Sequence, residues 1–294
     1  MIIQHTLKPG FSIGPLTVHW YGLMYLIGVF FVYFIGNKYA KEKNIKIPGG
    51  DLFDYIFILF LGMLAGARIG YVFIYWGLEY LQNPLKIIAI WEGGMSFHGA
   101  LIGIAITSWI YTKKHKLSFL QMADCIAVGT PVALFFGRMG NFINGELWGK
   151  PTDGTWGVIF PSGGSMPRHP SQLYEAALEG LVLFGITFFL SKRKLPIGTL
   201  FGAFLAGYGT FRSLIELVRV PDAQVGYIFN FITMGQMLSI PMILIGIGII
   251  IYSLKNKNKS ENLEVIEVKE DKQEEELVKT EVETEIKESD SQNI

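Results

Sequence analysis

Apolar residues gather in seven runs, at about 17–37, 52–76, 98–112, 122–140, 173–190, 197–217 and 231–253. A helix needs about 20 such residues to cross the hydrocarbon of a bilayer. The pattern predicts an all-α polytopic membrane protein with seven transmembrane helices. Cationic residues alternate with the runs. Lys38, Lys41, Lys43 and Lys46 follow the first, and Lys113, Lys114 and Lys116 the third. Lys192, Arg193 and Lys194 follow the fifth, and Lys255, Lys257 and Lys259 the seventh. Short loops rich in Lys and Arg stay in the cytoplasm. The N-terminus is therefore expected outside and the C-terminus in the cytoplasm.

The opposite side carries fewer charges. Residues 78–97 contain NPLKIIAIWEGG, too short and interrupted to cross, and read as an interfacial segment with Trp91 at headgroup depth. Residues 145–172, rich in Gly, Pro and Ser, are expected to form a small outward cap. Gly62, Gly66 and Gly70 recur every fourth residue, as do Gly99 and Gly103. Small residues at that spacing let two helices approach closely in lipid. Pro241 is expected to kink the seventh span. No internal repeat is evident, which weighs against many transporter folds.

Composition agrees with the pattern, since half of the 294 residues are hydrophobic. The zero net charge hides a division. Residues 1–260 hold 21 Lys/Arg against 12 Asp/Glu, and residues 261–294 hold 4 against 13. The expected organisation is a membrane domain over 1–254 and an acidic, disordered cytoplasmic tail over 255–294. Cys125 stands alone, which excludes an internal disulfide and a cysteine metal cluster, and reads as a small core residue. Residues 1–16 lack the basic start and apolar core of a secretory signal.

Polar residues inside membrane runs are functional candidates, because each is costly there unless paired or hydrated. The stretch GRMGNFINGELWG, 137–149, carries Arg138, Asn141, Asn144 and Glu146 at the outer end of the fourth run. GGMSFHGALIG, 93–103, places His98 at the outer mouth of the third. Arg212 falls in the outer half of the sixth, with Glu216 and Arg219 one and two turns later, Arg68 in the outer half of the second, and Tyr21 in the first turn of span one. Polar groups from five spans thus converge on one leaflet, at the depth of lipid headgroups. Arginine suits a phosphate there, because its planar fork donates two parallel hydrogen bonds and keeps its charge. His98 suits proton transfer near neutrality.

Plainer readings stand beside these. His98 as a helix-end residue, Arg212 and Glu216 as an i,i+4 pair, and Arg219 reaching to the interface are each ordinary features. Arg68 serves equally well to neutralise a carboxylate. His5, His19, His115 and His169 lack partners at metal-ligand spacing. A lipid transporter would use the same arginines without covalent chemistry. A membrane scaffold would need neither His98 nor Arg138.

HWYGLMY (19–25), GGMSFHGALIG, GRMGNFINGELWG, PRHPSQLYE (167–175) and RVPDAQVGYI (219–228) together resemble the prolipoprotein diacylglyceryl transferases of bacteria. The resemblance spans about residues 12–253 and leaves out the tail. It implies a seven-span enzyme of the bacterial inner or plasma membrane. Such an enzyme moves the diacylglyceryl group of phosphatidylglycerol to the lipobox cysteine of an exported prolipoprotein. A thioether forms and glycerol phosphate leaves. The implied site residues are His98, Arg138 and Arg212 for catalysis, with Tyr21, Asn141, Glu146, Gly149, Tyr208 and Glu216 around the substrate. Ala100 replaces one glycine of the histidine motif. Glu146 and Glu216 are expected to orient the arginines. No cofactor or metal is implied, and no nucleic acid.

Overall fold

The computed structural model describes residues 1–14, 16–73, 87–89, 94–220, 227–228 and 232–256. The interfacial reading of 78–97 and the tail reading of 255–294 fall largely outside these residues. The chain is mostly helical. After strands β1 (Ile2–Gln4), β2 (Gly10–Ile13) and β3 (Leu16–His19) come helices α1 (Trp20–Glu42), α2 (Phe53–Tyr71) and α3 (Phe97–Lys114). Then follow α4 (Phe119–Ala127), α5 (Thr130–Asn144), β4 (Gly157–Ile159), α6 (Ser171–Ser191) and α7 (Thr199–Ile215). A short hairpin of β5 (Tyr227–Ile228) and β6 (Ile232–Thr233) leads into α8 (Met234–Asn256).

Helices α1, α2, α6 and α8 are each long and apolar enough to cross a membrane, and the bent pair α4–α5 makes a fifth candidate when counted as one span. The expected continuous run 122–140 is therefore broken, with a 47° change of direction. The cause lies in Gly129 and Pro131. Gly129 sits against the backbone of Val32 on α1, where an added Cβ would lie 2.8 Å from the Val32 Cα. Pro131 lacks an N–H and starts the new helix. Helix α8 runs unbroken through Pro241.

Two antiparallel helix pairs organise the bundle. In the first, α2 and α3 meet along the glycines expected to bring them together. A Cβ on Gly66 would lie 2.8 Å from the Gly103 Cα, and one on Gly70 would lie 2.9 Å from the Gly99 Cα. In the second, α1 packs on α5, with Gly28 against Ala133 and Gly140 against the ring of Tyr21. The two pairs join at one end. There Ala40, Leu52, Tyr55, Tyr111, Met122 and Cys125 form a buried apolar core drawn from both. At this same end Asp124 accepts hydrogen bonds from the Gly198 and Phe201 N–H groups, 2.7 Å each, and so caps α7. Lys192 pairs with Glu42 at 2.8 Å across α6 and α1.

The opposite end carries the cap. β1 runs parallel to β4, so the N-terminus is woven into residues 145–172. Arg168 anchors this region. Its guanidinium lies over the Trp148 ring at 4.0 Å and its Nε donates to the Gly163 carbonyl at 2.9 Å. His5 is buried against α5 and lies 2.7 Å from the Phe142 carbonyl.

Candidate active site

The polar end is built from the termini of α5, α6 and α7. Arg138 stands in the last two turns of α5 and Arg212 in the last turn of α7. Both turn toward α6, where Glu175 and Glu179 lie four residues apart. Glu175 is the hub. Its Oε2 lies 2.7 Å from Arg138 Nε. Its Oε1 lies 3.2 Å from Arg212 Nη1 and 2.9 Å from Arg219 Nη1. Glu179 Oε2 takes a second bond from Arg138 at 3.3 Å. Glu216 pairs with Arg212 one turn before it and lies 3.8 Å from Arg219. Six charged side chains thus form one continuous network.

Burial within the network is uneven. The side chains of Glu175 and Glu179 have no solvent exposure, whereas Arg138 and Arg212 keep 18% and 14%. The carboxylates are therefore the backing and the guanidiniums the open face. Buried ion pairs add little net stability, but removing one partner strands the other at a cost of about 3–5 kcal/mol. Such a network fixes the arginine planes. A turn of π-helix over Ala176–Val182 lies between and beyond the two glutamates. Single π turns are frequent at functional sites, and this one sets how the second glutamate presents relative to the first. Tyr208 lies on α7 one turn before Arg212.

The other expected site residues surround this network. Asn141 is buried and donates to Glu146 Oε1 at 3.0 Å, as does Asn144 at 3.2 Å. Glu146 itself is exposed. Its expected role is corrected here, because its side chain holds these two amides and not an arginine. Glu175 and Glu179 hold Arg138 instead, while Glu216 does pair with Arg212. Tyr21 donates to the Tyr25 hydroxyl at 3.1 Å and rests on Gly140, two residues after Arg138. Gly149 is wedged between two strands of chain. A Cβ there would lie 2.7 Å from the Val218 carbonyl oxygen and 2.8 Å from the His169 Cβ. Its N–H donates to the His169 carbonyl at 2.8 Å, and it bridges to Arg219. Any side chain at this position would part the cap from the end of α7.

His98 sits in the first turn of α3, which Ser96 caps by accepting from the Gly99 N–H at 3.2 Å. It is half-buried. Helix α3 packs on α2 and, less, on α4, and not on the arginine-bearing helices to a comparable degree. His98 therefore shares the end of the bundle with the arginines while belonging to a different helix pair. Arg68 lies on that pair. It is buried, and it donates to the carbonyls of Ile87 at 3.0 Å and Gly94 at 3.1 Å. Those bonds tie Arg68 to the backbone shortly before α3.

Sequence reasoning passed over Glu175 and Glu179 as site residues. The signal was available: two carboxylates at i and i+4 inside a membrane-length apolar run. Among the described residues no three His, Cys, Asp or Glu side chains group as a metal site.

The comparisons with known proteins fit this geometry. The family model described as prolipoprotein diacylglyceryl transferase matches residues 9–252. A phosphatidylglycerol–prolipoprotein diacylglyceryl transferase of Vibrio atlanticus is 48% identical over 253 residues, 86% of this chain and 92% of that one. Enzymes of the same name from Vibrio cholerae and Pseudoalteromonas translucida are each 49% identical over 245 residues. Each alignment covers 83% of this chain, and 90% and 92% of the respective relative.

Proposed function

The chain belongs to the prolipoprotein diacylglyceryl transferase family, and from that premise we propose how its residues do the work. It is a transferase that moves the diacylglyceryl group of phosphatidylglycerol to a prolipoprotein, the first step of lipoprotein maturation. The acceptor is the thiol of a lipobox cysteine in the exported signal peptide. The enzyme resides in the bacterial plasma membrane with seven spans. The seven are α1, α2, α6 and α8, the bent pair α4–α5 taken as one span, and the helices α3 and α7. The N-terminus and the cap face outward, and residues 255–294 form a cytoplasmic tail.

In the reaction the thiol loses its proton and the sulfur attacks the glyceryl carbon that bears the phosphate ester. The carbon–oxygen bond breaks, a thioether remains and glycerol phosphate departs. Free thiols titrate near 8.5, so a base raises the nucleophilic fraction at neutral pH. His98 takes that proton, directly or through water. Arg138 and Arg212 clamp the phosphate and offset charge as it leaves. Asn141 and Tyr21 give neutral hydrogen bonds to the headgroup. Tyr208 lines the clamp, Glu216 orients Arg212, Glu146 orients Asn141, and Gly149 keeps the cap seated.

One observation carries this reading. Glu175 gathers Arg138 and Arg212 from two helices onto one carboxylate, and both arginines keep some solvent exposure while the carboxylate keeps none. The test mixes purified protein, phosphatidylglycerol and a lipobox peptide, with mass spectrometry as the readout. A diacylglyceryl thioether that vanishes with a Cys→Ser peptide is expected. Folded, lipid-loaded protein that yields none overturns the reading in favour of lipid transport.

A further inference from the structure

Among the described residues the site network holds equal numbers of the two charges. Three guanidiniums, Arg138, Arg212 and Arg219, face three carboxylates, Glu175, Glu179 and Glu216. A phosphodiester arriving on Arg138 and Arg212 brings a fourth negative charge. An uncompensated charge in a dry setting is strongly disfavoured, and a carboxylate there takes a proton instead.

The three carboxylates are not equivalent. Glu175 touches all three arginines, and Glu216 touches two. Glu179 touches, among the described cations, Arg138 alone, through Oε2. Its Oε1 is fully buried without a hydrogen-bond partner among the described residues. The charged and titratable groups facing Glu179 are Arg138 on α5, Arg212 and Tyr208 on α7, and Glu175 one turn earlier on α6. A phosphate that engages Arg138 weakens the single cationic contact Glu179 has, while the like charge of Glu175 remains.

We propose that Glu179 takes up one proton when an anionic phospholipid headgroup binds, so that the occupied site keeps its charge balance. The proton comes from water at the outer face, and no covalent bond changes. The inference rests on the reading of Arg138 and Arg212 as the phosphate clamp. Glu179 is then a positioning residue whose charge state makes room for the lipid.

The test uses the full-length protein in neutral detergent, titrated with short-chain phosphatidylglycerol by calorimetry. Buffers of different ionisation enthalpy report the protons exchanged. Wild type is expected to take up about one proton per lipid, with Kd rising up to ~10-fold per pH unit through the range of uptake. Glu179→Gln is expected to take up none and to hold a flat Kd across that range. His98→Gln is expected to keep the uptake. Uptake that persists in Glu179→Gln, or that disappears in His98→Gln, overturns the assignment, as does lipid binding by wild type without uptake. Infrared difference spectra of wild type supply a readout that needs no variant. A protonated carboxyl band must appear as lipid binds, and its absence overturns the proposal. Running the thioether assay on the same samples separates the two ideas. Uptake without product defeats the transferase chemistry alone, and product without uptake defeats the proton alone.

Discussion

Glu175 shows how one side chain sets the geometry of two others. Arg138 and Arg212 arrive from different helices, and only their shared carboxylate fixes both planes. Glu175→Gln is expected to lower transfer at least ~100-fold, since a stranded buried charge costs about 3–5 kcal/mol and the arginines lose their backing. Glu175→Asp keeps the charge on a shorter arm and is expected to recover part of the loss. Separating kcat from KM reads this as misplacement of the clamp. Were both parameters near normal in Glu175→Gln, the hub role would be lost. His98→Gln addresses the base. General-base catalysis contributes ~10²–10⁴-fold, so turnover should fall by about that much at normal expression. Near-normal turnover would leave the arginine clamp as the sole activating device. The arginines, His98 and Asn141 were legible in the sequence because polar groups in membrane runs stand out against hydrocarbon. Glu175 and Glu179 carried the same signal and were passed over, because the ion pairs that join them to the arginines reach 37–44 residues along the chain.

At the scale of elements, glycine decides where backbones touch. The sequence spacing of Gly62, Gly66 and Gly70 against Gly99 and Gly103 announced a close pair, and α2 and α3 meet there. What periodicity misses is a bend made by a neighbour. The break at 128–129 depends on Gly129 resting on α1, a contact invisible from the run itself. The short cap strands were equally hidden, since β1 pairs with β4 across more than 150 residues. Gly66→Ala sets a Cβ into the Gly99 carbonyl and the Gly103 Cα. Both are backbone and cannot swing aside, so overpacking should cost about 1–3 kcal/mol and lower thermal stability in detergent. Gly185 on α6 has nothing within 4 Å of the same atom. Gly185→Ala is therefore expected to be neutral or slightly stabilising by a few tenths of a kcal/mol, from higher helix propensity. Equal destabilisation by both changes would mean that the α2–α3 contact is looser than its geometry.

The whole molecule divides into two ends with opposite chemistry. One carries an apolar core that ties all the helix pairs together, flanked by Lys38, Lys41, Lys43 and Arg193. The other holds the arginine network under a cap of short strands. From Tyr55 to Arg68 the separation is thirteen residues of helix, about 20 Å, most of the hydrocarbon thickness. That separation makes orientation a single question: whichever end faces outward, the other faces in. In the proposed topology the cationic loops lie in the cytoplasm with the core end, and an exported thiol acceptor would meet the arginines outside. Single cysteines on a Cys125→Ala background decide this. Asp153→Cys lies on the exposed cap and Arg193→Cys on the exposed turn after α6. Neither side chain belongs to the site network, so the fold should survive both. A membrane-impermeant maleimide applied to intact spheroplasts is expected to label Asp153→Cys at once and Arg193→Cys only after the membrane is opened. The reverse pattern would put the arginine network in the cytoplasm. It would then separate the network from an exported acceptor and defeat the proposed mechanism at its first step.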